Sequence, residues 1–176
     1  MASKAKTIAI ALGLFAALAI VGIIAVKSSN YMDVGQLKQY QQPVKVIVKG
    51  KPLTLGYGEG VMEIGETLFK LVCRGVFCVA SRVKGPVFGN DNAYAVFVLE
   101  GGNGYSVLAL YSKREFTMNY GGSPIFSSKV VVEGVYHPDI TASIRVPHGS
   151  GLLHVIMVSK ILEGCHKSYK NPVASS

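Results

Sequence analysis

The sequence predicts a small all-β domain, a closed barrel or a sandwich, behind a single N-terminal membrane anchor. Residues 7–26, TIAIALGLFAALAIVGIIAV, carry no charge, and about 20 apolar residues are what a helix needs to cross a bilayer. Beyond Gln42 the chain breaks into short runs rich in Val, Ile, Tyr and Phe, separated by Gly, Pro and Asn, which is the pattern of successive strands. Outside the anchor no long stretch keeps a helical period.

Lys4 and Lys6 precede the apolar run and Lys27 follows it. The run is longer than the core of a signal peptide and no A-x-A site ends it, so an uncleaved anchor is expected. Positive charge at the short N-terminus holds that end in the cytoplasm and puts the domain on the extracytoplasmic face of the cytoplasmic membrane. Ser28-Ser29-Asn30 is a linker, and Tyr31 to Gln42 reads as a short helix or juxtamembrane segment.

The strand runs are Val44 to Val48, Leu68 to Ala80, Tyr94 to Leu99, Tyr105 to Tyr111, Lys129 to Tyr136 and His154 to Leu162. Glu100-Gly101-Gly102-Asn103-Gly104 is a hairpin signal, because Gly and Asn tolerate positive φ. Gly121 to Pro124 and Arg145 to Gly151 read as loops, and Lys170 to Ser176 as a disordered tail. Five or six strands with few helices fit a barrel or a sandwich.

The net charge is +8, and all ten acidic residues lie after the anchor. The basic surplus is scattered, and an outward-facing domain rarely meets nucleic acid. Anionic lipid, an acidic partner or a ligand with carboxylates fits better, beside the plain reading of a mildly basic surface. Of the three cysteines, Cys73 and Cys78 fall in what reads as one strand. Five residues apart there, they point to opposite faces and do not bridge unless Gly75 bends the chain sharply.

G-x-S-x-G, H-E-x-x-H, a P-loop, C-x-x-C and C-x-x-C-H are all missing from the sequence, which removes the common hydrolase, nucleotide, redox and c-type haem signatures. Cys73, Cys78, Cys165 and His166 have poor spacing for zinc. His137 and His148 read as surface loop residues beside proline, and His154 as a strand cap. The remaining chemistry is Cys165-His166-Lys167-Ser168-Tyr169, a thiol four residues ahead of a phenol. In one helical turn such a pair stands about 5–6 Å apart; in a strand it stands roughly 13 Å apart. The first spacing lets a thiol reach a haem vinyl group while the phenolate sits on the iron. The bland alternative is a cysteine and a tyrosine in a fraying tail.

Four stretches together resemble the cytochrome c maturation haem chaperones, the CcmE family, in their C-x-x-x-Y variant. They are the anchor with Tyr31-Met32-Asp33-Val34-Gly35-Gln36-Leu37, then Phe69 to Val76, then Lys129-Val130-Val131-Val132-Glu133-Gly134, and finally Ile161 to Tyr169. The resemblance implies an OB-type (oligonucleotide-binding) barrel of five or six strands with a transmembrane helix and a flexible C-terminal tail. It divides the chain into a cytoplasmic N-terminus at 1–6, the anchor at 7–26, a juxtamembrane segment with a candidate added hairpin at 27–67, the barrel at 68–164, and the attachment motif and tail at 165–176.

Carried over, Cys165 bonds covalently to haem and Tyr169 ligates its iron, with His166 an accessory contact one position away from the family's attachment histidine. The cargo is b-type haem, held covalently and transiently. Lys160, Lys167, Lys170 and Arg145 are candidates for its propionates, or plain solvated charge. The implied partners are the haem-delivery and haem-ligation membrane proteins and apocytochrome c, at the membrane, without nucleic acid. The protein is then a carrier and not an enzyme. Two rivals remain: an anchored OB-type interaction module that binds no haem, and an enzyme that joins distant groups such as His137, Glu133 and Cys73.

Overall fold

The computed structural model describes residues 31–168. The anchor, Tyr169, Lys170 and the tail lie outside the described residues. Among the described residues no helix is long and apolar enough to cross a membrane. Nine strands make one sheet: β1 (Met32–Asp33), β2 (Val44–Pro52), β3 (Gly56–Ile64), β4 (Thr67–Gly75), β5 (Cys78–Lys84), β6 (Ala93–Glu100), β7 (Ser106–Ser112), β8 (Ile125–Val146) and β9 (Gly149–His166). A 3-10 helix, Val34–Gln39, follows β1, and one α-helix, α1 (Lys113–Tyr120), separates β7 from β8.

The sheet closes on itself. Its order β1-β2-β6-β5-β4-β3-β8-β9-β7, with β6–β7 and β2–β8 also paired, makes a closed seven-strand barrel of β3 to β9. The same pairings close a smaller five-strand circuit, β2-β6-β7-β9-β8. The long β8–β9 hairpin serves both circuits. Its open half, Val130 to Tyr136, pairs with β2, and its closed half, Ala142 to Arg145, pairs with β3.

Two cores result, and β6 and β7 form the wall between them. Ala95, Phe97, Leu99, Val107, Ala109 and Tyr111 face one core. Tyr94, Val96, Val98, Leu108 and Leu110 face the other. A strand packed on both faces needs a continuous apolar run instead of alternation, and that is why YAVFVL and SVLALY read as they do.

The strand content exceeds the expected five or six, and three sequence expectations are corrected. First, residues 27–67, expected as a juxtamembrane segment with a candidate added hairpin, supply β2 and β3, both integral to the sheet, and the boundary at 67/68 falls inside β4, whose Thr67 already pairs with Ile64. Second, Arg145 to Gly151 is not a long loop. It is a strand end, a two-residue Pro147-His148 turn and a strand start, which also puts His137 in β8 and His154 in β9. Third, Leu68 to Ala80 is two strands. Gly75 takes φ 97°, the left-handed region that glycine enters freely, and the chain folds back there.

That bend sets Cys73 directly opposite Cys78, and they form a disulfide with Cα atoms 3.9 Å apart. The bridge closes a very short loop, so its stabilisation is at the low end of the usual range, about 2 kcal/mol. Reductant is expected to lower the unfolding free energy by about that amount. The check is a pair of denaturation curves with and without reductant, and the two curves should coincide for Cys73→Ala/Cys78→Ala.

The segment that follows the linker is packed onto the barrel. Val34 and Leu37 are fully buried. Asp33 caps the 3-10 helix by accepting from the Gly35 N–H at 2.8 Å, and it also accepts from the Gly102 N–H in the β6–β7 turn at 3.1 Å. The Asn103 side chain in that turn donates to the Gly35 carbonyl at 3.1 Å. The start of the described chain is thereby fixed to the barrel within a few residues.

Candidate functional site

The site predicted from sequence sits at the open end of the β8–β9 hairpin. Cys165 and His166 are the last residues of β9, opposite Phe126 and Ile125 at the start of β8. Lys167 and Ser168 continue without regular structure. Of the two geometries weighed for the motif, Cys165 and His166 take the strand, because the cross-strand partners claim this backbone. Tyr169 lies outside the described residues.

Cys165 is the free thiol among the described cysteines, and it is only 7% exposed. Its side chain belongs to the first core together with Phe77, Phe97, Tyr111, Phe116 and Ile161, and Phe126 packs on the same cluster. Phe126 stacks on Phe77 at 6.0 Å and tilts against Phe97 at 5.4 Å. Phe116 lies 5.7 Å from Tyr120, and the Tyr120 hydroxyl donates to the Ile161 carbonyl at 3.2 Å.

Burial among these rings pushes the Cys165 thiol up to about 12, because the thiolate loses its hydration. Tyr120 is likewise pushed up to about 12, first by burial and then by the charge of Cys165 and Tyr111. A thiol held this way is not a nucleophile at neutral pH, so reaction at Cys165 requires that it leave this environment.

The sign of the linked stability follows from the raised value. Above pH 9 the unfolded thiol releases its proton while the folded one retains it, so stability falls as pH rises from about 9 towards 12. Denaturation midpoints across this range should decline, and Cys165→Ala should decline less steeply. The tyrosines keep part of the slope, since Tyr94, Tyr111 and Tyr136 are also raised by burial.

His166 is exposed at the barrel end. Lys160 and Lys167 are exposed on the same strand and just beyond it. Arg145 is not near them: it pairs with Ser150 at the closed end of the hairpin, where it lines an open groove with Glu59, Lys70 and Val83. Cys73 is held in the disulfide, which removes it as a zinc ligand or a nucleophile for the distant-group enzyme reading. Among the described residues no group of three or more His, Cys, Asp or Glu is placed to hold a metal ion.

Sequence reasoning missed the aromatic surroundings. Phe77, Phe116, Tyr120 and Phe126 come from β4–β5, α1 and β8, and no spacing in the chain links them. It also missed Tyr31. The carboxylate of Glu163, two residues before Cys165, lies beside the Tyr31 phenol and is the main cause of that phenol's raised pKa, ahead of desolvation. The first described residue thus lies beside the last strand.

A closed β-barrel with a buried, free thiol where its last strand ends is the class that fold and site define. No family model, curated protein or solved structure matches the chain.

Proposed function

We propose that this chain is a membrane-anchored, OB-type haem carrier that takes haem covalently on Cys165, holds its iron through Tyr169, and passes it on to apocytochrome c. The observation that carries the reading is the order of the five-strand circuit. Counting β2, β6, β7, β8 and β9 as strands one to five, the third and fifth run parallel and the helix lies between the third and fourth. This five-strand circuit supports the OB-type reading, a five-stranded Greek-key barrel. The three-strand unit β3–β5 is then an insertion between its first and second strands, and the C-x-x-x-Y motif begins in the last two residues of its fifth.

Two further features support an outward-facing carrier. The Cys73–Cys78 disulfide suits an oxidising compartment. Tyr31, five residues past the end of the apolar run at 26, lies beside Glu163, so an anchor ending at residue 26 would leave Cys165 near the membrane surface. Haem is an apolar disc with two carboxylates, and it partitions there.

The capture step is redox-neutral. The Cys165 S–H adds across a haem vinyl C=C: sulfur bonds to one carbon, the hydrogen goes to the other, and no electron enters or leaves. Elimination returns thiol and vinyl group at transfer. His166 and Lys167, exposed beside the thiol, are placed for contacts at the haem edge.

The test is haem retention. The full chain in detergent, incubated anaerobically with ferrous haem, should keep haem through a denaturing gel, and Cys165→Ala should lose it. The second reading, an anchored OB-type interaction module without haem, is favoured by one observation, the burial of Cys165. It is the conclusion if the folded wild type keeps no haem.

A further inference from the structure

The pairing that buries Cys165 is set apart from the rest of the hairpin. Ile125↔His166 and Phe126↔Cys165 are in register, but the next pair is Val131↔Glu163. Ser127 to Val130 therefore face Gly164 alone. Gly164 takes φ 90°, and its α-carbon is pressed so close to the Lys129 carbonyl that a side chain there would collide with it. A bulge of this kind interrupts the ladder and uncouples the pairs beyond it.

Beyond the bulge the two outer pairs reach the core through one ring and one thiol, Phe126 and Cys165. Ile125 is 56% exposed, His166, Lys167, Ser128 and Lys129 are exposed, and Phe126 is the side chain of the first β8 pairs that packs inward, on Phe77, Phe97 and Phe116. Further into the hairpin, Val130, Val132 and Ile161 belong to the core, and β2 adds a third strand. Free energies of local opening follow this kind of difference in buried contacts and neighbouring strands.

We infer that Ile125–Phe126 against Cys165–His166 is a clip that gates the thiol, opening by itself while the barrel beyond the bulge stays folded. Closed, it keeps Cys165 unreactive among the aromatic rings. Open, it frees the thiol. The inference rests on the haem-carrier reading for its purpose, and it reconciles that reading with the buried thiol.

The test contains no haem, so it stands or falls apart from that reading. Cys165 is the free thiol once the disulfide is formed, and its alkylation by a maleimide can be followed in the full chain in detergent. In the wild type the rate should rise only slightly with low denaturant, because local opening exposes little surface. Ile125→Gly weakens the exposed edge of the clip without touching the core, and it should speed alkylation about fivefold at unchanged global stability.

Two results overturn the clip. One is an alkylation rate whose denaturant dependence equals that of global unfolding, with Ile125→Gly at the wild-type rate. The other is wild-type alkylation as fast as that of the unfolded chain. Haem attachment with either result leaves a carrier without a gate; the expected alkylation without haem attachment leaves a gated thiol on a module that is not a haem carrier.

Discussion

Phe97→Ala is expected to destabilise the barrel by about 3–5 kcal/mol, the range for deleting a buried ring. Phe97 is fully buried at the middle of β6, in the wall that both cores share. Its ring also supports Phe126 at 5.4 Å. The cavity left behind is flanked by strands fixed on both sides, so it collapses poorly, and the cost belongs at the upper end. Denaturant unfolding measures it. A loss under about 1 kcal/mol, the size of an ordinary surface change, would contradict the two-core packing. Phe97→Leu, which refills most of the volume, should restore much of the stability.

Substitutions at the motif should separate two roles. Cys165→Ala is expected to abolish haem that survives denaturation, since no other free thiol is described. Tyr169→Phe keeps the ring and removes the oxygen. It should leave the covalent bond intact and change the absorption spectrum of the ferric complex, because the phenolate is lost as an iron ligand. If instead Tyr169→Phe leaves the spectrum unchanged, the iron ligand is another group, and the exposed His166 is then the first to replace. Loss of attachment in Tyr169→Phe with normal attachment in Cys165→Ala would reverse the assignment altogether.

Much of the barrel could be read from the chain, and the failures have physical causes. Tyr94 to Leu99 and Tyr105 to Tyr111 were legible as strands because burial on both faces demands an unbroken apolar run. The turn at Gly101 to Gly104 was legible because its residues tolerate the required backbone. The β4–β5 hairpin was not. Its turn is built on Gly75 alone, inside an apolar stretch whose partner residues continue the same pattern, so the bend that brings Cys73 to Cys78 leaves no polar signature. α1 escaped because eight residues with one buried side chain, Phe116, give almost no period. His137 and Pro138 looked like a loop, whereas β8 carries them through a register break between His137 and Thr141.

The site was legible as a motif and illegible as an environment. Cys165, His166 and their spacing to Tyr169 stand plainly in the sequence. The cover over the thiol comes from Phe77, Phe116 and Phe126, which are brought together by the disulfide-bonded hairpin, the helix and the first residues of β8. Such a cluster is a product of topology, and a one-dimensional pattern holds no trace of it.

The most direct measurement is a peptide map of the full chain after exposure to ferrous haem. Trypsin cuts after Lys160 and Lys167, which isolates residues 161–167 with Cys165 and His166 and separates them from Tyr169. The account predicts one haem mass on that peptide, with fragmentation assigning it to the sulfur of Cys165. An unmodified 161–167 peptide from folded, haem-exposed protein contradicts it, and so does haem found on any other residue.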